Sequence, residues 1–353
     1  MQVEHEVVFY FNEINKIGGV ESWYYYLSKL FKNFVIYYHD ADPVQVERLA
    51  KNVEIHKHHG ERIKCKRFFG NYGLANIIPY LEAEEKYFVI HCDYKRNKLS
   101  QPLIYEGFKY IAVSKLAGES FKELTGKDYE LIYNPIAIDK PKVKKKEGLH
   151  LLSATRLSSE KGGWRIDLLS SLLDKSGIKY TWDIYTNKPK KLNESALSPN
   201  IHIKEPKLDL TKEMAEASYV VQLSDHEAYC FTVVESLVLG TPVIITDLPV
   251  FNEIGCNESN SIKLNLNMTN VDIDEILKGK KPFKYTPPKS NWSKYLDNNS
   301  TYNPNEIVYV EVQKRYKDVV LGRKLLRYAI TGKKEKMTKL RASILESKGL
   351  VEW

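Results

Sequence analysis

SDHEAYCFTVVESLVLGTPVI, residues 224–244, is the stretch that decides the fold. Residues 219–223 just before it form a short β-rich apolar run, and 231–239 carry the apolar spacing of a helix. Gly240 and Thr241 then turn the chain into a second apolar run at 242–246. Strand, helix and strand in this order form a βαβ unit with parallel strands. Glu227 falls in the loop after the first strand and Glu235 about one turn inside the helix, so both carboxylates can face one cleft. Between them, the amides near Tyr229, Cys230, Phe231 and Thr232 open the helix without intrahelical acceptors, which suits an anionic or hydroxyl-rich ligand.

The same alternation runs through most of the chain. Strands are predicted at 7–11, 34–38, 87–90, 110–113 and 131–133, with helices at 20–31 and 114–124 between them. Residues 139–148, with Lys140, Lys142 and Lys144 to Lys146 around Pro141, are too polar to pack a core and read as an interdomain linker. Strands then resume at 149–153, 180–185, 219–223 and 242–246, with helices at 163–174 and 231–239. Residues 280–301, rich in Pro and Asn, read as irregular, and the basic tail from Asn305 to about Ile330 reads as helical, with one more helix beyond it. A length of 353 residues exceeds what one core usually supports, which agrees with two successive βα domains.

Segment 224–244 resembles the E-x7-E motif of retaining GT-B glycosyltransferases, and of glycosyltransferase family 4 in particular. Ser153 to Gly163, SATRLSSEKGG, resembles the Gly-Arg-Leu-x-x-x-Lys-Gly segment of that family, with Arg156 and Lys161 in the matching places. The resemblance implies an α/β GT-B fold of two Rossmann-like domains facing a central cleft. It divides the chain into an acceptor-side domain at 1–140, a nucleotide-sugar domain at 141–305 and basic helices at 306–353 packing back toward the first domain. It also implies roles: Glu227 orients hydroxyls of the donor sugar, Glu235 holds the ribose, and Arg156 and Lys161 stabilise the leaving diphosphate. A guanidinium and an ammonium at the mouth of a parallel sheet suit that task and need no metal.

Other positions are weaker signals. Gly18 and Gly19, after the first strand and at the start of a helix, match the family's first-domain phosphate loop; glycine there lets backbone approach phosphate. His91 ends a first-domain strand, where the family often carries an active-site histidine. Asn134 before Pro135 resembles the family's Pro-Asn-Gly hinge, with proline in place of glycine. Ala228 and Cys230 stand where the family commonly has glycine, which narrows the approach to the donor.

Asp40 and Asp42, an Asp-x-Asp after a strand, could hold Mg or Mn with a diphosphate. That reading leaves the arginine, lysine and glutamate set unexplained, and Asp42 before Pro43 reads instead as a helix start. His56, His58 and His59 lack a companion ligand cluster and read as a solvated strand end. No metal or cofactor is expected beyond the nucleotide-sugar substrate.

The 43% hydrophobic content supports real cores, and 28% charged residues indicate a soluble surface. No run of about 18 apolar residues occurs, and the acidic start, Glu4 and Glu6, does not resemble a secretory signal. Four cysteines without paired spacing suit a reducing cytoplasm. The net charge of +8 favours anionic partners, among them nucleotides, acidic membrane surfaces and nucleic acid. The expected activity is retaining transfer of a hexosyl group, most simply from a UDP-sugar, to a glycan, lipid-linked or surface-polymer acceptor. Two alternatives stay open: a nucleic-acid base glucosyltransferase of the GT-B type, and a non-catalytic GT-B subunit supporting a partner enzyme.

Overall fold

A computed structural model describes residues 2–15, 17–97, 101–187, 197–297, 302–319, 326–329 and 331–353. In the first domain seven strands form a parallel sheet: β1 (Gln2–Ile14), β2 (Val35–Ala41), β3 (Glu54–Lys57), β4 (Arg62–Gly70), β5 (Leu81–Ile90), β6 (Phe108–Ala112) and β7 (Glu130–Leu131). Their order is β3-β2-β1-β4-β5-β6-β7. Strand alternation sends Val7, Phe9 and Phe11 into one buried cluster and Val8 and Tyr10 into another, so both faces are covered. This is why the strand interiors read as nearly unbroken apolar runs. Helices α1 (Gly19–Leu30), α2 (Pro43–Ala50) and α3 (Lys115–Thr125) belong to this domain.

The second domain repeats the plan with β8 (Leu149–Ala154), α4 (Gly163–Lys175), β9 (Tyr180–Tyr185), β10 (Ile201–Lys204), α5 (Thr211–Glu216), β11 (Tyr219–Gln222), α6 (Phe231–Val238), β12 (Val243–Thr246), α7 (Pro249–Glu253), β13 (Ser261–Leu264) and α8 (Ile273–Lys278). Its parallel order is β10-β9-β8-β11-β12-β13. One apolar cluster continues from Phe9 and Trp23 in the first domain to Val234 and Val243 in the second. At the same junction the Glu253 carboxylate accepts from the amides of Lys115 and Leu116, the latter at 3.1 Å, and so caps α3 from the other domain.

Three readings change on inspection. Strand β4, inside the first sheet, was not expected. Its first half alternates exposed Arg62, Lys64 and Lys66 with buried Ile63 and Cys65, and the lysines pair across to Glu4 and Glu6 of β1 at 3.3 and 3.0 Å. Among the described residues, the region expected to hold basic helices at 306–353 instead carries strands β14 (Ile307–Val312), β15 (Tyr316–Val319), β16 (Leu326–Ala329), β17 (Lys334–Thr338) and β18 (Val351–Glu352), with one helix, α9 (Lys339–Ser347); positions 320–325 and 330 of the expected helix lie outside the described residues. Val310 and Val312 alternate inward onto Ala342 and Leu345 of α9, and this period-2 burial selects strand over helix. Helix α9 in turn packs on the first domain: Ser343 Oγ donates to the Ile55 carbonyl, and Lys339 pairs with Glu54 at 3.1 Å.

Of the three histidines only His59 is exposed as a solvated strand end would be. His56 bonds Glu54 at 2.8 Å and its ring lies 4.4 Å from that of Trp353; His58 is buried against the Glu61 carbonyl.

Candidate active site

The carboxyl ends of the two parallel sheets face one another across a cleft of about 790 Å³. Ligands of open α/β sheets bind at this end of the strands, and the volume suits one small ligand. On the second-domain side, a 3-10 turn (Ser159–Lys161) carries Lys161 toward Glu227, with Nζ 2.7 Å from Oε1. The same oxygen accepts from Ser224 Oγ at 2.7 Å and Gln222 Nε2 at 3.2 Å. All three of these contacts fall on Oε1 of a residue that lines the cleft. Burial lowers the Lys161 ammonium, but the adjoining Glu227 charge and hydrogen bond outweigh it, and the net shift is upward. Lys161 therefore stays cationic.

Backbone contacts weld the two loops that hold this pair. Asp225 N donates to the Glu160 carbonyl at 2.8 Å, and the buried Arg165 bonds the Leu223 and Leu266 carbonyls and pairs with Asp225 at 2.7 Å. Gly162 sits between the loops in the left-handed region, at φ +76°, and a Cβ there would lie 1.9 Å from the Leu223 carbonyl oxygen. Only glycine meets both demands. Gly162→Ala is expected to destabilise the protein by roughly 2–4 kcal/mol, combining the left-handed penalty with a backbone clash. Chemical denaturation checks this, and a loss below about 1 kcal/mol would show that the loops yield easily.

Arg156 is placed differently. Its side chain is 68% exposed at the rim and pairs with Glu160 at 2.7 Å, so its charge is shared and screened. Glu235 faces the cleft from α6, where Tyr26 of α1 donates to its Oε1 at 2.8 Å. Burial raises its carboxyl pKa, against the Tyr26 hydrogen bond and the Arg48 charge. At the start of α6, Cys230 adopts φ +70° and supplies no side-chain cap. A side chain in that conformation costs about 1–2 kcal/mol, which explains why glycine suits the position. It leaves the Phe231 and Thr232 amides opening the helix at the cleft wall.

On the first-domain side Gly18 and Gly19 begin α1. A Cβ on Gly18 would lie 2.1 Å from Glu21 Oε2, whereas Gly19 has open space. Glu21 is buried, its carboxyl is raised by burial, and its Oε1 accepts from Asn15 N at 2.9 Å. The loop expected to receive phosphate thus already holds a carboxylate at its first turn. His91 follows β5, in edge contact with Trp23 at 4.8 Å. Its Nε2 is buried with no hydrogen-bond partner among the described residues, and burial pushes the imidazole down to about 3. The ring is neutral at physiological pH. Asn134, also on the cleft wall, has an Oδ1 with no partner among the described residues.

Every residue named from the sequence as a site candidate, namely Gly18, Gly19, His91, Arg156, Lys161, Glu227, Tyr229, Cys230, Phe231, Thr232 and Glu235, lines this cleft. The sequence reading missed Gln222 and Ser224, which orient Glu227, and Tyr26 and Arg48, which come from the opposite domain. Ser224 and Gln222 could have been found, since both lie within five residues before the glutamate, Gln222 ending β11 and Ser224 in the loop after it. Asp42 caps α2, accepting from Val44 N at 2.8 Å, and among the described residues no cluster of three or more His, Cys, Asp or Glu side chains is placed to hold a metal. Among the same residues no helix is long and apolar enough to cross a membrane.

Two facing parallel α/β domains with a cleft at their carboxyl ends make this chain a GT-B fold, and solved structures agree. HepE of Anabaena, solved in complex with UDP-glucose, superposes with a TM-score of 0.59 at 14% identity, covering 78% of this chain and 92% of that one. A glycosyltransferase from Rickettsia africae ESF-5 gives 0.57 at 12% identity, over 78% and 88%. Sucrose-phosphate synthase from Thermosynechococcus elongatus gives 0.55 at 11%, over 78% and 90%. No protein-family model and no curated protein matches the sequence.

Proposed function

We propose that the protein is a retaining, metal-independent hexosyltransferase that uses a nucleotide-diphosphate sugar, most simply a UDP-sugar, and belongs with glycosyltransferase family 4 in mechanism. The observation that carries the reading is the convergence of the Lys161–Glu227 pair, Glu235, the α6 amides and the neutral His91 on one cleft between the two sheets. HepE, of the same fold, was solved with UDP-glucose.

In this reading the diphosphate lies against Lys161, Arg156 and the opening amides of α6, which stabilise charge as the leaving group departs. Glu235 accepts from the ribose hydroxyls. Glu227, held through Oε1, offers Oε2 to the sugar hydroxyls, and its fixed position limits reorganisation during transfer. Neutral His91, on the cleft wall, lies beside the sugar or the acceptor hydroxyl. Gly19 leaves room for the donor beside α1. Neither glutamate acts as nucleophile; the leaving phosphate takes the acceptor proton on the same face of the sugar.

The acceptor, a glycan, lipid-linked or surface-polymer hydroxyl, enters from the first domain, in a cytoplasmic setting. A peripheral contact with an acidic membrane would use the outward face of the C-terminal sheet, where exposed Ile307 and Tyr309 share a face with Lys336, opposite Tyr309, and with Lys334, opposite Glu311.

Donor hydrolysis over a panel of nucleotide sugars tests the proposal. Release of nucleotide from at least one UDP-sugar is expected, and it should continue in EDTA because side-chain cations replace the metal. Loss in EDTA with restoration by Mn would remove the metal-independent mechanism and return attention to Asp40 and Asp42. Tight nucleotide binding without turnover on any donor or acceptor would favour a non-catalytic subunit.

A further inference from the structure

Glu235 projects from the second domain, yet the groups that stabilise its charge come from the first. Tyr26 Oη donates to Glu235 Oε1 at 2.8 Å, and the Tyr26 ring stacks on Phe231 with centroids 5.6 Å apart. Arg48, on α2, spreads its guanidinium over the Tyr25 ring at 3.5 Å and donates through Nη2 to the Leu208 carbonyl of the second domain at 3.0 Å. Arg48 and Leu208 both line the same end of the cleft as Glu235. Among the described residues, Tyr26 and Arg48 lower the Glu235 carboxyl and Asp209, from its own domain, raises it, while Tyr229, also from its own domain, is held protonated by burial and in part by the same charge. The second domain therefore recesses a carboxylate that it does not itself neutralise, and a recessed carboxylate without a partner is costly.

We infer that Tyr26 and Arg48 are positioning residues supplied by the first domain: Tyr26 holds the Glu235 carboxylate for the nucleotide's ribose through its hydrogen bond, and Arg48 supports it by charge from α2. The inference rests on the donor-site reading above. Tyr26 uses one lone pair of Oε1, which leaves Oε2 and the rest of Oε1 to accept two ribose hydroxyls. The Arg48 bond to Leu208 ties α2 to the loop that bounds this end of the cleft.

The pH dependence has a definite sign. Burial raises the Glu235 carboxyl, while Tyr26 and Arg48 pull it down. Removing either leaves it higher still. Binding that requires the carboxylate is lost as pH falls through its pKa, so each variant should lose nucleotide affinity at a higher pH than the parent does.

The experiment is calorimetric titration of the full chain with UDP, and separately with inorganic pyrophosphate, from about pH 5 to about pH 8. Tyr26→Phe and Arg48→Met are each expected to weaken UDP about 3- to 10-fold near neutrality, more at lower pH, with pyrophosphate affinity unchanged. Arg48→Lys, which keeps the charge but not the fork, should fall between Arg48→Met and the parent. Parallel loss of UDP and pyrophosphate affinity would mean a merely structural role and overturn the inference. Parental UDP binding in both variants, with affinity lost in Glu235→Gln, would overturn it while sparing the donor site. Parental binding in Glu235→Gln would instead remove the donor-site reading, and the inference with it.

Discussion

Lys161→Met is expected to lower turnover on the preferred donor by two to three orders of magnitude. Lys161 remains cationic next to Glu227, and removing one preorganised donor to a developing oxyanion costs about 10²–10³-fold in kcat. The substitution also leaves Glu227 without its cation. Glu227 would keep Ser224 and Gln222 as partners, but a partly buried charge that loses its counterion can cost about 3 kcal/mol or more in stability. The double variant Lys161→Met with Glu227→Gln removes that uncompensated charge. It should recover most of the melting temperature and none of the activity. Recovery of activity with stability would mean that Lys161 serves the fold rather than the leaving group.

Trp292→Ala is expected to be the largest single loss of stability, about 3–5 kcal/mol. Trp292 is fully buried, 5.3 Å from the Trp23 ring and 5.6 Å from that of Phe69, although it belongs to a segment that follows the second domain in sequence. It carries the chain back into the first core, and Tyr295 beside it bonds Glu130 at 2.7 Å. A fall in melting temperature of roughly 5–10 °C should follow. Trp292→Phe, which keeps an aromatic ring, should lose much less. A drop of under about 2 °C for the alanine variant would show that this return segment is only loosely docked.

The parts of this protein that were legible in the sequence are those in which structure and chemistry are local. Glu227 and Glu235 share one loop-helix unit, Arg156 and Lys161 share one turn, and a reader of the string sees each pair together. Parallel strands buried on both faces announced themselves in β1 and the second half of β5, though not in the short β13. Strand β4 did not, because RIKCKRFFG places charges on alternate residues that find their partners only in neighbouring strands. The tail misled for a related reason: its lysines and arginines resemble a solvated helix face, while Val308, Val310 and Val312 alternate as a strand does. Residues 280–301 looked irregular, and their Pro-rich composition gave no sign that Trp292 anchors a distant core.

The other gap is between domains. Tyr26 and Glu235 stand 209 positions apart, and the hydrogen bond between them exists only because the two sheets face each other. No spacing rule reaches that far. Gly18 and Gly19 show the converse: the sequence marks a close backbone approach, and the structure adds that the approach on the Gly18 side is to Glu21.

The account stands or falls on what happens at the anomeric carbon. NMR of the first-formed product, read through its anomeric coupling during turnover of an α-linked UDP-sugar, tests this most directly. An α-linked product is predicted. A β-linked first product, or no cleavage of any nucleotide sugar, would contradict the mechanism built on Lys161, Glu227 and Glu235.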